Sequence, residues 1–316
     1  MRIGQNPAKS VKTVAQPEDV TVAVVVYIPT LGGYYHQSLD VLKVCLNSIW
    51  ENTQLPYDLM VFDNGSCQEV RDYLRESHKA GRIQYLILSE KNVGKAGAWN
   101  FIFGAAPGKY IAYADSDVYH HPGWLAPQIE LLERFPQTGM VTGMPMWTPE
   151  MFSTATIAWA EQNPEVRLSR GKYLSWEDYW KHSQSLGADE SKARNHYETT
   201  ENILINDQGK HIYVGAAHFQ FVAPKRVIQS LLPIPSERPM GQVRLLDIAL
   251  NEQGYLRFCT PDWWVHHMGN TLDPELYEGS SKRPPKKDQQ FWKMRLPRRI
   301  ITWLYHKSFG ILYRDQ

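Results

Sequence analysis

Apolar and polar positions alternate in two textures along the first half of the chain. Residues 20–27 are a continuous, mostly β-branched run, the texture of a strand buried on both faces. In residues 39–52 the apolar positions are Val41, Leu42, Val44, Cys45, Ile49 and Trp50, the spacing of one helical face. The two textures then repeat. Strands are predicted over 58–62, 83–88, 110–114 and 140–143, and helices over 68–80, 94–105 and 124–135. Strict alternation with short connections predicts an α/β fold, a mostly parallel sheet with helices on both faces. Right-handed crossovers place the strand C-termini on one edge, so the polar stretches that follow them share one site. Those stretches are Pro29-Thr30, residues 63–66, residues 90–95 and Asp115-Ser116-Asp117.

The pattern dissolves after about residue 145. Residues 146–210, rich in Trp, Tyr, Glu and Lys, read as a long specificity-bearing insertion with one helix near 176–184. Strand-like runs return at 211–214, 218–222, 256–258 and 263–265, with helices at 227–232 and 245–253. The expected organisation is a disordered tail (1–18), a nucleotide-binding half (19–145) and an acceptor and catalytic-base half (146–270). A linker and a basic, aromatic, helical segment follow (271–316).

Composition narrows the class. The chain has 316 residues, 43% hydrophobic, enough for a sizeable core, and its net charge of +1 selects no nucleic-acid partner. Cys45, Cys67 and Cys259 are widely spaced and odd in number, so neither a disulfide framework nor zinc spacing is present. With no apolar core in residues 1–18 and no run of about 18 apolar residues, a cytoplasmic protein is expected, any membrane contact being peripheral.

Asp115-Ser116-Asp117 carries the most chemistry. Two carboxylates one residue apart at the end of a buried strand are costly without a cation. A hard divalent ion shared with a diphosphate relieves that cost, whereas zinc is disfavoured by oxygen ligands. The plain alternative is a solvated turn. Asp63, at the end of another strand, is placed to accept an N–H from a nucleotide base, or else to cap the next helix. Asn92 and Gly94 precede a helix whose free N–H groups suit an anion, and Lys95 adds charge there.

Four motifs in order resemble the inverting glycosyltransferases of family 2, which have the Rossmann-like GT-A fold and include rhamnosyltransferase-like and other surface-glycan enzymes. They are the Val-rich first strand, Val61-Phe62-Asp63-Asn64-Gly65-Ser66, residues 92–100, and Asp115-Ser116-Asp117. The resemblance implies a donor site of Tyr27, Thr30, Asp63, Asn64, Asn92, Gly94, Lys95, Asp115 and Ser116, taking a UDP- or dTDP-sugar. It implies Mg2+ or Mn2+ held by Asp115 and Asp117. His267, preferred over His266 because His267-Met268-Gly269 matches the family's terminal His-x-Gly, would complete the set. It also implies a carboxylate base for a glycan or lipid-linked acceptor. Asp247 is the candidate, although the family's acid lies further upstream of the Gly, and Glu237 is the alternative.

Two other functions fit parts of the pattern. A sugar nucleotidyltransferase would need a basic, Gly-rich loop after the first strand, and residues 28–33 hold no Arg or Lys. A non-catalytic nucleotide-sugar or glycan-binding module would not need Asp115, Asp117 and His267 together. The C-terminal segment, residues 291–313, fits an interfacial helix on an anionic membrane surface, packing on the core, or contact with a second copy in a homo-oligomer.

Overall fold

The computed structural model describes residues 3–238 and 240–272. The linker and the basic aromatic segment lie outside the described residues. Residues 3–18 are exposed, with one 3-10 turn at Pro7–Ser10.

The first half follows the hydrophobic pattern closely. Strand β1 (Val20–Val26) is buried along its whole length between β2 (Asp58–Asn64) and the strand numbered β4 below. Helix α1 (Ser38–Asn52) buries Val41, Leu42, Cys45, Leu46 and Ile49, the stripe visible in the sequence. Helix α2 (Gln68–Lys79) leads to β3 (Tyr85–Ser89), then α3 (Gly94–Ala105) and β4 (Tyr110–Asp115). These four strands are parallel in the order β3-β2-β1-β4, and the register pairs Val25 with Asp115 and Val26 with Asp63. Both carboxylates therefore end their strands at the same sheet edge.

The chain continues through β5 (Val118–His120), α4 (Ala126–Arg134) and β6 (Thr138–Thr142). Residues 146–210 are more structured than their composition suggests. They form α5 (Thr154–Gln162), β7 (Val166–Gly171), α6 (Trp176–Ser185), α7 (Glu190–Thr199) and β8 (Asn202–Asp207). Then come β9 (Lys210–Val214), β10 (Gln220–Pro224), α8 (Lys225–Ser230), α9 (Arg244–Glu252), β11 (Leu256–Cys259) and β12 (Val265–His267).

Ten of these strands form one sheet, β3-β2-β1-β4-β10-β6-β11-β9-β8-β7, shared by both halves of the chain. This is the α/β frame with a mostly parallel sheet expected from the sequence, in which β7, β9 and β10 run against the other strands. Strand β10 takes the free edge of β4, and Phe221 packs 5.4 Å from Tyr113 and 5.9 Å from Trp99 on α3. Burial of those rings outweighs the default of parallel neighbours. Strands β5 and β12 form a separate antiparallel ribbon that no periodicity announces. No helix among the described residues is long and apolar enough to cross a membrane.

Candidate active site

The ribbon decides the geometry of the site. It pairs His267 with Val118, and the Met268 N–H donates to the Asp117 carbonyl at 2.8 Å. His267 Nε2 consequently lies 3.4 Å from Asp117 Oδ2, although the residues are 150 positions apart. On its other side, His267 Nδ1 meets the Ser185 hydroxyl at 3.0 Å. That hydroxyl donates its own proton to the His182 carbonyl, so it accepts from Nδ1–H. With Nδ1 taken up by Ser185, Nε2 is the nitrogen that faces the Asp117 carboxylate, where the two could share a cation. Asp117 Oδ1 is buried with no hydrogen-bond partner among the described residues. Burial, and then the neighbouring Asp115, raise the Asp117 pKa, while His267 and Lys95 pull it down.

Gly269 permits this close approach. Its φ is +73°, and a Cβ there would lie 2.6 Å from the Ser185 carbonyl oxygen. The glycine of His-x-Gly thus lets the end of α6 close on His267.

Asp115 differs from Asp117. Its Oδ2 is 2.6 Å from Lys95 Nζ, and its Oδ1 accepts from the Tyr113 hydroxyl. Burial pushes the Tyr113 pKa up and keeps the phenol a donor. Lys95 Nζ also sits over the rings of Trp99 and Tyr113, at 5.5 and 5.6 Å. Asp115, expected as a metal ligand, is thus paired with Lys95 in this form. No cluster of three or more metal-binding side chains occurs among the described residues. Asp117 and His267 nevertheless suit an ion that keeps few protein ligands and takes the rest from a diphosphate.

Asp63 and Asn64, expected as donor contacts, are engaged within the protein. Asp63 is fully buried, with Oδ1 accepting the Ser66 N–H at 3.1 Å and Oδ2 paired with Arg71 Nε at 3.0 Å. Arg71 is itself held by Glu90 and the Ser89 carbonyl. Asp63 therefore has the turn-capping role rather than an edge presented to a base. Asn64 is buried and braces the next loop through the Val93 N–H and Asn92 Oδ1. Asn92 Oδ1 also accepts from Gly94 N–H, so Asn92 and Gly94 shape the start of α3, and Gly94 is buried with φ +73°. Tyr27 is half-buried against Tyr35, Ser116 is half-buried in the turn between the two aspartates, and Thr30 is exposed just beyond β1.

Asp247, the expected base, is likewise engaged within the protein. It lies in the first turn of α9 but is only 3% exposed. Oδ1 is 2.6 Å from Arg257 Nη2, and Oδ2 is 3.3 Å from His218 Nδ1. Arg257 is 1% exposed and further donates to the carbonyls of Ala216 and Phe152. With both oxygens engaged, Asp247 is a backing group. The accessible group of this chain is His218, whose side chain is 36% exposed. His218 immediately precedes Phe219, whose carbonyl accepts the Asp115 N–H at 2.8 Å. Glu237, the alternative base, is exposed, and its hydrogen bond from Gln242 lowers its pKa. Sequence reasoning missed His218, Ser185 and Arg257. The available signal was an arginine inside the apolar run at 256–258, which needs an acidic partner when buried.

Beside His267 lies a cavity of about 290 Å3 reaching from the segment after β6 to α6. His182 lines it, and its ring centroid lies 6.1 Å from that of His267.

Comparison with known proteins gives a consistent family. The glycosyl transferase family 2 model matches residues 26–159. An uncharacterized glycosyltransferase of Rickettsia bellii is 30% identical over 115 residues, covering 36% of this chain and 15% of that protein. Uncharacterized glycosyltransferase alr2836 of Nostoc is 27% identical over 103 residues, covering 33% and 31%. Putative teichuronic acid biosynthesis glycosyltransferase TuaG of Bacillus subtilis is 25% identical over 97 residues, covering 31% and 38%. The matched part of the chain thus spans well under half of these relatives. Among solved structures, S. aureus TarS 1-349 in complex with UDP aligns with a TM-score of 0.46 at 12% identity, covering 82% of this chain and 62% of that one. Residues 26–159 are therefore similar to the glycosyl transferase family 2 model.

Proposed function

We propose that the protein is an inverting glycosyltransferase that moves a sugar from a nucleoside diphosphate sugar to a hydroxyl of a glycan or lipid-linked glycan. The observation that carries this reading is the Asp117–His267 pair, with its buried unpartnered oxygen, beside Lys95 at the edge of a family 2 domain. Similarity to TuaG favours an acceptor in surface polysaccharide synthesis. A UDP- or dTDP-sugar remains the favoured donor class.

Asp117 and His267 would hold Mg2+ or Mn2+, with the donor phosphates as further ligands. When bound, the ion supplies positive charge that offsets the charge developing on the departing diphosphate. Lys95 exchanges Asp115 for a phosphate oxygen and adds a second positive charge. His218 accepts the acceptor proton at Nε2, because Asp247 Oδ2 holds the proton at Nδ1. Arg257 holds the other oxygen of Asp247 behind it. The acceptor oxygen forms a bond to the anomeric carbon as the bond from that carbon to the diphosphate breaks. The proton leaves on the imidazole, and the anomeric centre inverts.

Release of nucleoside diphosphate from a panel of UDP- and dTDP-sugars with Mn2+ tests this reading. Wild type should turn over at least one donor, and His218→Ala should lose turnover while retaining nucleotide affinity. Nucleotide-sugar binding with no turnover of any donor would favour the non-catalytic module. Full activity in His218→Ala would remove the base assignment.

A further inference from the structure

The ten-stranded sheet ends on two unlike edges. At one, β7 carries Arg167 and Arg170 and finishes on Gly171, a charged edge of the kind that resists pairing with another chain. At the other lies β3, where residues 83–88 read Ile-Gln-Tyr-Leu-Ile-Leu, with no charge, proline or glycine. Strand β3 pairs with β2 in one continuous register, and among the described residues no strand lies beyond it. A regular, uncharged, apolar edge is a template for another strand.

The backbone shows which groups face outward. The Gln84 N–H donates to the Leu59 carbonyl at 3.0 Å. Within a strand, the N–H and C=O of one residue point to one side and those of the next residue to the other. Gln84, Leu86 and Leu88 therefore turn toward β2, while Tyr85, Ile87 and Ser89 turn away from it. The open stretch is bounded at both ends. The Ile83 carbonyl meets His78 Nδ1 at 2.7 Å, and the Ser89 carbonyl accepts from Arg71 at 2.6 Å. Between them the edge presents the N–H and C=O of Tyr85 and of Ile87.

Side chains add an apolar face. Tyr85 and Ile87 pair with Met60 and Phe62, and so stand on the α3 side of the sheet. There Phe101 of α3 stacks on Phe62 at 5.7 Å yet is 58% exposed, and Tyr85 is 38% exposed. Exposed aromatic rings beside an open strand suit a protein contact.

The edge is complementary to itself. Two copies set antiparallel about a two-fold axis at Leu86 place Tyr85 of each against Ile87 of the other. Each such pair exchanges both of its N–H···O=C bonds, so the outward groups of both residues are satisfied. The same register sets Arg82 of one copy opposite Glu90 of the other. Arg82 is exposed where it lies over Trp50, and the Glu90 side chain is 81% exposed even though it meets Arg71. An axis at Ile87 would set Glu90 opposite Gln84 and form no charge pair.

We propose that β3 is the edge through which two copies of this chain pair, antiparallel about Leu86, into one continuous sheet. Strand directions reverse across that seam, so the strand C-termini that carry the two sites lie on opposite edges and both stay open. The pairing is independent of the chemistry proposed above, since neither Tyr85 nor Ile87 belongs to the site.

Sedimentation equilibrium of the full chain at micromolar concentrations reads the association. Wild type should form a species of twice the chain mass. Tyr85→Pro removes an outward N–H and no bond within one copy, because the first residue of an edge strand tolerates proline. It should weaken association about tenfold or more with an unchanged circular dichroism spectrum. If Tyr85→Pro melts early, Tyr85→Lys, which puts a charge on the same exposed position, should weaken association to the same extent. Arg82→Glu and Glu90→Arg test the register. Each alone sets like charges opposite each other at both ends of the seam and should weaken self-association about tenfold or more. Mixed in equal amounts, the two variants regain both opposite-charge pairs and should associate with each other about as tightly as wild type does with itself. A monomer at every concentration, a dimer left intact by Tyr85→Pro and Tyr85→Lys, or charge variants that prefer themselves to each other would overturn the pairing.

Discussion

Replacing Arg257 with methionine tests whether Asp247 is a buried backing group. The guanidinium is 1% exposed and donates to Asp247 at 2.6 Å and to the carbonyls of Ala216 and Phe152 at 2.7 Å each. Methionine fills similar space, so little of the loss comes from a cavity. Deleting one partner of a buried ion pair costs about 3–5 kcal/mol, because the other charge stays buried alone. Each orphaned carbonyl adds about 1 kcal/mol, partly overlapping with the first term. Urea unfolding at pH 7 should therefore show a loss of about 4–6 kcal/mol in Arg257→Met. Asp247→Asn in the Arg257→Met background should recover about 2–3 kcal/mol of that loss, a coupling read from the double-mutant cycle. A loss below about 1 kcal/mol, or strict additivity, would refute the buried pair and return Asp247 to the list of free carboxylates.

Three further outcomes follow from the same geometry. Gly269→Ala should lose about 2 kcal/mol on thermal unfolding and weaken Mn2+ binding, since its side chain strikes the Ser185 carbonyl and moves His267; wild-type Mn2+ affinity would contradict this. His120 is fully buried, and burial lowers its pKa to about 3 from an ordinary value near 6.5, so only the unfolded chain takes up its proton between those values. Stability should therefore fall as pH drops from about 6.5 toward 3, and His120→Gln should flatten that slope in urea titrations; equal slopes would contradict the assignment. Lys95→Met should weaken UDP binding about tenfold or more, yet change stability by less than about 1 kcal/mol, because its pair with Asp115 is about one quarter exposed; calorimetry and urea unfolding read the two effects separately.

The parallel strands β1, β2 and β4 were legible because each is a buried run of apolar residues, and β3 because its apolar run persists at the partly buried sheet edge. The Asp115-Ser116-Asp117 turn was legible for the same reason, as its carboxylates stand where such a run stops. What stayed hidden depends on contacts distant in sequence. Strands β5 and β12 are three residues each, too short for any period, yet their pairing brings His267 to Asp117. Strand β10 looks like any apolar strand, and only the packing of Phe221 on Tyr113 and Trp99 reveals that it enters the sheet beside β4. Asp63 has the right residue type and strand position for a base contact, but Arg71, in the first turn of α2, takes its carboxylate. Asp247 stands out in the sequence as an acid on α9, whereas its contacts are with Arg257 and His218, which the spacing does not relate.

Calorimetric titration of UDP and dTDP into the full chain, with and without Mn2+, tests the central claim most directly when wild type is set beside Asp117→Asn and His267→Ala. Wild type should bind at least one nucleotide in a Mn2+-dependent manner. Both variants should lose about tenfold or more of that affinity, and Asp117→Asn should be no less stable than wild type without metal, since it removes a buried, under-bonded charge. Binding that ignores Mn2+, or Mn2+-dependent affinity unchanged in both variants, would contradict a metal-assisted nucleotide-sugar site at Asp117 and His267.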